Sequence, residues 1–330
     1  MAIEMSPASQ ARSAAKSRAT GFLRIGVSIA ILALLLTFAP VGDLLTRMKS
    51  VSPGLWFVVF VGFVLGHFAA AAKWRWVIGG SVSYPRALKA HFAGLAANIA
   101  LPGVAGGDLV RAGLVMKGSS RKTALAIGSL ADRLIDTLVL VVIAAAGAIW
   151  LGARAGVHPF GITLAALAVI VTCVAGVFLL RPIASLFRKV ALKGKIGAVI
   201  GDIADAMDEM ASRRLALFGC ILLSAVIQFA FALMNGEIAK NIGVDAPLAA
   251  WVFAWPLAKL VATLPISFGG LGVREASIAG LLTPMGHEAA GVIAASLIWQ
   301  SIQYAGALSG ALAQSIAVNE ASKNAEASHG

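Results

Sequence analysis

Two similar stretches decide the fold: LPGVAGGDLVR, from Leu101 to Arg111, and LPISFGGLGVR, from Leu264 to Arg274. Both follow the template Leu-Pro-x-x-x-Gly-Gly-x-x-Val-Arg, and the second lies 163 residues after the first. Proline removes a backbone donor and glycine permits a sharp turn, so each stretch predicts a break between two helices. The residues predicted to form these breaks are Pro102, Gly106, Gly107, Pro265, Gly269 and Gly270.

The composition around these stretches indicates a membrane protein. Of the 330 residues, 59% are hydrophobic and 13% are charged, whereas soluble domains carry roughly 25% charged residues. A helix needs about 20 apolar residues to cross a bilayer. Six apolar windows of this kind predict an all-α polytopic fold, and they lie at 21–39, 54–72, 123–150, 160–181, 214–238 and 287–314.

The distribution of basic residues predicts the topology. Eighteen of the 27 lysines and arginines fall in the segments 1–24, 73–89, 117–122 and 181–214. Because cytoplasmic loops carry the excess of Lys and Arg, we expect these segments to be cytoplasmic. Their natural counter-charges are anionic lipid headgroups at the cytoplasmic face rather than nucleic acid.

The charge map constrains the two apolar stretches that contain the template. Since 73–89 and 117–122 share one side, we expect 86–116 to enter the membrane and return as a re-entrant hairpin. The stretch 248–283 is then a second hairpin, which starts from the outside. Six crossings and two hairpins give eight membrane segments, with both termini cytoplasmic. The odd number of crossings between the hairpins predicts two inverted-topology repeats, an architecture common in secondary transporters. We expect the protein to lie in the cell (inner, cytoplasmic) membrane.

This interpretation divides the chain into five parts. We expect a basic cytoplasmic tail, a first membrane repeat, an interfacial amphipathic linker, a second membrane repeat and a polar tail. Their boundaries are 1–20, 21–182, 183–213, 214–314 and 315–330, respectively.

Three motifs together resemble a known family. The segments NIALPGVAGGDLVRAGLV, LADRLIDTLVLV and LPISFGGLGVREASI are similar to the membrane region of the lysylphosphatidylglycerol synthase and flippase (MprF-like) family and its stand-alone relatives. The resemblance covers roughly 20–315. It implies a membrane region that moves aminoacylated phosphatidylglycerol between leaflets, while a separate soluble domain makes that lipid. We expect a stand-alone member without synthase activity.

The template also has a chemistry of its own. Gly106 and Gly107 permit the backbone to turn, and Asp108 can cap the returning half-helix, whose N-terminal N–H groups and dipole attract phosphate. Arg111 and Arg274 add charges able to bind phosphate bidentately, and Glu275 adjoins the second of them. Alternatively, Asp108 pairs with Arg111, and Glu275 pairs with Arg274 or Lys259, only to neutralise buried charge. Ionisable groups within membranes cost at least ~2.5 kcal/mol each, which favours a functional role.

Other polar residues within apolar segments extend the candidate site. Asp132, Arg133 and Asp136 form a charge cluster, in which Arg133 can reach Asp136 three residues further along the helix. The cluster is either a counter-charge for a cationic headgroup or a proton relay, or it is a lock on Arg111 or Arg274. Lys259 and Asn98 precede the two templates and are further substrate-binding candidates. The isolated residues His67 and His91 are expected to be hydrogen-bonded packing residues rather than ligands.

We therefore expect a flippase-like lipid transporter that passes a phospholipid or lipid-linked headgroup through a central polar cavity. The alternative is an integral membrane enzyme acting on a lipid or isoprenoid phosphate; a weaker one is a scaffold. The sequence has no Walker loop, no familiar hydrolase motif and no metal-spaced cysteines, so no catalytic residue, metal or cofactor is predicted. A homo-oligomer is compatible with the Gly-x-x-x-Gly pairs at 62–66 and 306–310, which by themselves indicate only close helix packing.

Overall fold

The structure is a computed structural model that describes residues 26, 28–31, 33–34, 36–37, 39–101, 105–156, 160–189, 194–264, 267 and 270–327. Within these ranges the chain forms helices and no strand. After a helical segment among residues 26–37, the helices are α1 (Val41–Ser50), α2 (Pro53–Val77), α3 (Tyr84–Ala100), α4 (Ala105–Met116), α5 (Lys122–Arg154), α6 (Phe160–Lys189), α7 (Gly194–Ala211), α8 (Arg214–Asn241), α9 (Leu248–Ala262), α10 (Val273–Leu282) and α11 (Ala289–Ala327).

Four of these helices are long and apolar enough to cross a bilayer: α2, α5, α6 and α8. They coincide with four of the six predicted crossings, which confirms a multi-pass helical membrane protein. The predicted crossing 287–314 begins two residues before α11 and otherwise lies within it, but α11 is not among the four. Nine of the 19 residues of the predicted crossing 21–39 lie outside the described residues, as do the tail 1–20, Pro102, Pro265 and Gly269.

The order of the helices recurs along the chain. A long helix, two short helices with the template between them, and a second long helix occur as α2 to α5 and again as α8 to α11. The starts of α2, α3 and α5 move to within about five residues of the starts of α8, α9 and α11 when shifted by 163. The chain therefore breaks between α3 and α4 and between α9 and α10, as the sequence predicted. Gly106 and Gly107 were expected to form the first break, but both lie inside α4, which begins at Ala105.

Aromatic side chains fill the centre of the bundle. The rings of Phe63, Phe231 and Trp299 are mutually in contact, with centroids 5.4–5.7 Å apart. Trp255 meets Phe231 and Trp299 edge-on. These side chains come from α2, α8, α9 and α11, so the core joins the two recurring halves.

The predicted Gly-x-x-x-Gly pairs lie where helices approach within the chain. A side chain at Gly66 would meet the Phe231 ring at 2.7 Å, and one at Gly306 would meet the Phe63 ring. Small residues at these positions therefore allow α2 to pack against α8 and α11.

The segment between the halves is not one continuous helix. Helix α6 extends through Pro182 to Lys189, and α7 begins at Gly194 and packs against α5 and α6. Arg188 of α6 pairs with Asp205 of α7 at 2.8 Å. Ile196 and Val199 remain 66% and 52% exposed, so the described chain leaves apolar side chains of α7 uncovered; that α7 lies at the membrane interface stays a prediction.

Candidate functional site

Both template copies reach one cavity of about 190 Å³ at the centre of the bundle. One water needs only about 10–15 Å³ of such volume, so the cavity has room for a polar group with several atoms. Eight helices contribute to its wall: α2, α3, α4, α5, α8, α9, α10 and α11. The charged side chains that line it are Lys73, Asp108, Arg111, Asp132, Arg133, Asp136, Lys259 and Arg274.

The first template copy is held by a close contact between α3 and α4. A Cβ atom at Gly107 would lie against the Gly94 carbonyl oxygen and the Asn98 side chain, so only glycine permits this approach. The Gly107 N–H donates to Asn98 Oδ1 at 2.9 Å. This contact brings Asp108 and Arg111, in the first two turns of α4, to the cavity.

Arg111 is buried and contacts three elements. Its Nη2 lies 3.1 Å from Asp132 Oδ2 on α5 and 3.4 Å from Asp108 Oδ1 on its own helix. Its guanidinium carbon lies 4.5 Å from the centre of the Trp74 ring on α2, a cation–π contact. The predicted lock between the α5 cluster and an arginine of the template therefore exists, and Arg111 is that arginine.

Lys73 completes this network from α2. The ammonium of Lys73 lies 3.0 Å from Asp132 Oδ1 and also pairs with Asp136, which in turn accepts a hydrogen bond from Ser224 of α8. The Lys73 and Asp132 side chains are each 2% exposed. A buried charge is tolerated only when it is paired, and here two cations and two carboxylates compensate one another.

The position of Lys73 corrects one step of the topology argument. We counted it among the basic residues of a cytoplasmic segment, yet it lies inside α2 and is buried. Its charge is paired with the carboxylates of α5, so it does not indicate on which side of the membrane a loop lies. Arg133 also differs from expectation, because its Nε lies 3.5 Å from Asp108, not against Asp136.

The second template copy holds its arginine with different partners. Arg274 Nη1 donates to Gln303 of α11 at 2.7 Å, and its Nη2 donates to Gln300 and to Glu275, the latter at 3.0 Å. The other oxygen of Glu275 accepts the Gly272 N–H at 2.7 Å and so caps α10. Gly270 and Gly272 have φ near +80°, which explains why the chain uses glycine there.

Both helix starts therefore have N–H groups that are already engaged. The Gly107 N–H is bonded to Asn98 and the Gly272 N–H to Glu275. The expectation that the half-helix starts offer free N–H groups to a phosphate is wrong for these two groups. The cationic side chains remain as the candidate groups for binding an anion in the cavity.

Lys259 is the cavity lysine with a neutral set of neighbours. Its ammonium donates to Gln228 Oε1 at 2.7 Å and lies 5.1 Å from the Trp255 ring and 5.8 Å from the Phe231 ring. Among the described residues, no carboxylate lies within 4.0 Å of it. Its charge is therefore available to a ligand.

The cavity lining has an excess of positive charge. Five cationic side chains line it against three carboxylates, an excess of two; Glu275, which contacts Arg274 but does not line the cavity, reduces this to one. Four N–H donors of lining residues are also buried without an acceptor in the part of the chain that the structure describes: Nε of Arg111 and Arg274, and Nε1 of Trp255 and Trp299. An anion fits the charge of this lining.

Most of the predicted site residues meet at this cavity. Asn98, Gly107, Asp108, Arg111, Asp132, Arg133, Asp136, Lys259 and Arg274 line it, whereas Gly106, Gly270 and Glu275 lie outside its lining. Sequence reasoning missed Lys73, Gln228, Gln300, Gln303 and Tyr304 as lining residues. A usable signal existed, because polar side chains in the middle of apolar spans rarely face lipid.

The histidines were predicted as isolated packing residues. They are hydrogen-bonded, as expected, but to each other, with His67 Nδ1 2.9 Å from His91 Nε2. Both rings line the cavity. The prediction that the two histidines are isolated is therefore wrong, although their spacing in the sequence gave no sign that they meet.

Comparison with known proteins identifies the family. A search of curated proteins finds no match to the chain. A family model described as the lysylphosphatidylglycerol synthase TM region matches residues 21–310, which include both template copies and every residue that lines the cavity. The chain therefore belongs to the family of the lysylphosphatidylglycerol synthase transmembrane region.

Proposed function

We propose that this protein is a flippase-like transporter, which moves a phospholipid or lipid-linked headgroup between leaflets through the central cavity. The observation that carries the proposal is a cavity with surplus positive charge, enclosed by apolar helices of a lipid-related membrane family. The phosphate of a lipid headgroup balances this surplus charge, while the acyl chains of the lipid remain in the bilayer.

We further propose that the two recurring halves are inverted-topology repeats. In this arrangement α3–α4 and α9–α10 are re-entrant hairpins that enter from opposite sides, giving eight membrane segments with both termini in the cytoplasm. The recurring helix order and the meeting of both template copies at one cavity support it. Broken helices that meet at a central site are typical of transporters built from inverted repeats.

Lys259 gives the sharpest test of headgroup binding. Arg111→Ala and Arg274→Ala should abolish transport, but each also strips partners from buried groups. Lys259 has no carboxylate partner among the described residues, so Lys259→Met leaves no carboxylate without its cation and removes only a hydrogen bond to Gln228, and the protein should still fold. A hydrogen bond to a charged group contributes about 1.5–3 kcal/mol, so the variant should weaken headgroup binding by about 10- to 100-fold.

The measurement is movement of a fluorescent phosphatidylglycerol across vesicles that contain the reconstituted protein. A membrane-impermeant reductant destroys label in the outer leaflet, and transport exposes label from the inner leaflet. The matched control is Lys240→Met, because Lys240 is exposed at the end of α8. The proposal requires a slow Lys259→Met variant and an unchanged Lys240→Met variant.

The competing function is a membrane enzyme that acts on a lipid phosphate. Lipid mass spectrometry of the same vesicles distinguishes the two. A new lipid product that depends on Asp108 or Asp132, without movement of any labelled lipid, would favour the enzyme and overturn the transporter.

A further inference from the structure

The two cavity histidines form a chain that ends on Arg111. His67 Nδ1 lies 2.9 Å from His91 Nε2, and His91 Nδ1 lies 3.4 Å from Arg111 Nη1, at the long end of hydrogen-bond distances. The His67 ring also contacts Phe63, with ring centroids 4.3 Å apart. The pair is thus fixed between aromatic rings on one side and the guanidinium on the other.

These contacts assign the tautomers of both rings. Arginine only donates hydrogen bonds, so His91 Nδ1 accepts and carries no proton. Neutral His91 then has its proton on Nε2 and donates it to His67 Nδ1, which leaves the proton of neutral His67 on Nε2. His91 Nδ1, whose lone pair accepts a hydrogen bond from Arg111, is therefore the atom of the two histidines at which we expect a proton to bind.

The charges around the pair oppose its protonation. From each described element, the charged side chains that share the cavity with the rings are Lys73 on α2, Asp108 and Arg111 on α4, Asp132, Arg133 and Asp136 on α5, Lys259 on α9 and Arg274 on α10. The described cavity walls of α3, α8 and α11 add no other charge, and besides His91 the titratable group that they add is the Tyr304 phenol on α11. A proton would raise the excess of cationic over anionic lining groups from two to three.

An anion changes this balance in two ways. Its negative charge offsets the excess, and its oxygens compete for the N–H groups of Arg111. If Arg111 turns toward the anion, the lone pair of His91 Nδ1 loses its donor, and a buried acceptor without a partner is costly. A proton taken from water satisfies that nitrogen, and the imidazolium that results is a new donor for the anion.

We propose that the His67–His91 pair is a proton-binding site coupled to anion binding, so that the cavity takes up one proton with each anionic headgroup and returns it on release. This inference rests on the proposed transport function. No covalent bond other than N–H is made or broken, and the proton comes from and returns to water. Because coupling is reciprocal, the anion binds more tightly on the more acidic side of the membrane. A pH gradient would therefore favour transport from the acidic side to the other.

The experiment measures proton uptake when the purified protein binds short-chain phosphatidylglycerol, a phosphodiester that does not titrate near neutral pH. Binding is followed by calorimetry in buffers of different ionisation enthalpy between pH 5 and 8. We expect uptake approaching one proton, and affinity that rises as pH falls, by at most about tenfold per pH unit for one linked proton. His91→Asn retains an acceptor near the Nδ1 position but cannot be protonated, so it should still bind while uptake and pH dependence disappear.

Two controls keep the result interpretable. His287→Asn changes a histidine in the connection before α11, outside the cavity lining, and should behave as the wild-type protein. If His91→Asn does not fold, His67→Leu tests the same chain, because leucine removes the acceptor of the His91 Nε2 proton and should reduce the proton uptake. Nitrogen NMR of histidine-labelled protein should independently show His91 as the Nε2–H tautomer before the lipid is added.

The possible outcomes separate the inference from the function on which it rests. Binding with no proton uptake and no pH dependence would overturn the inference and leave the transporter proposal standing. An Nδ1–H tautomer for His91 would overturn it also. Failure of the wild-type protein to bind this lipid or to move it would count against both proposals.

Discussion

The two template arginines occupy equivalent positions in the sequence but are held in different ways. Arg111 contacts two carboxylates and belongs to an ionic network that continues through Asp132 to Lys73 and Asp136. Arg274 contacts one carboxylate, its sequence neighbour Glu275, and two neutral amides of α11. The template arginine is thus held by two carboxylates, one of them from another helix, in the first half and mainly by amides in the second half.

This difference has a consequence for the response of each half to a ligand. Asp132 is shared between Arg111 and Lys73, so moving Arg111 toward an anion still leaves Asp132 with a cation. The Glu275 side chain also caps α10, so moving Arg274 would disturb the start of a helix. We therefore expect Arg111 to be the arginine that moves with a ligand and Arg274 to be the fixed one.

The largest effect should come from neutralising the carboxylates that hold these arginines. Asp132→Asn leaves Lys73 and Arg111 without the charge between them, and breaking a buried ion pair costs about 3–5 kcal/mol. In Glu275→Gln the two amides of α11 still accept from Arg274, and we expect about 1–3 kcal/mol. Thermal unfolding in detergent measures both. A larger loss of stability in Glu275→Gln than in Asp132→Asn would show that Arg274 depends more on its carboxylate than Arg111 does.

A second test concerns the helix contact that positions Arg111. A Cβ atom at Gly107 would press on the Gly94 carbonyl and on Asn98, so Gly107→Ala should destabilise the protein by about 1–3 kcal/mol. Gly113 lies on the same helix with no atom within 4 Å of the added carbon. Gly113→Ala should therefore stabilise α4 by about 0.5–1 kcal/mol. Equal unfolding temperatures for the two variants would contradict the close contact.

The sequence predicted the parts of this site that depend on local pattern. A fixed offset between two breaks located both arginines, and apolar windows located four long helices, because these signals depend on residues close together in the chain. It did not predict the role of Lys73, whose partners lie 59 and 63 residues away on α5. A lysine at the end of an apolar run is typical of a membrane boundary, and only the packing of α2 on α5 shows that it is buried.

The network around Asp136 was inaccessible to sequence reasoning for a related reason. Arg133 was expected to reach Asp136 at helical spacing, yet the partners of Asp136 are Lys73 and Ser224 from other helices. Arg133 lies beside Asp108 instead. Periodicity gives the face of a helix on which a residue lies, but the choice among partners depends on which neighbouring helix offers a closer charge.

The smallest effect should come from the second carboxylate that contacts Arg111. Asp108 lies 3.4 Å from Arg111 and 3.5 Å from Arg133, and its side chain is 32% exposed, against 2% for Asp132. Exposed ion pairs contribute at most about 1 kcal/mol because solvent screens them. Asp108→Asn should therefore lower the free energy of unfolding by less than about 1 kcal/mol in the same detergent assay. An equal loss of unfolding free energy in Asp108→Asn and Asp132→Asn would show that both carboxylates hold Arg111 equally. The interpretation that Arg111 is held mainly by Asp132 of α5, and only weakly by Asp108 of its own helix, would then be wrong.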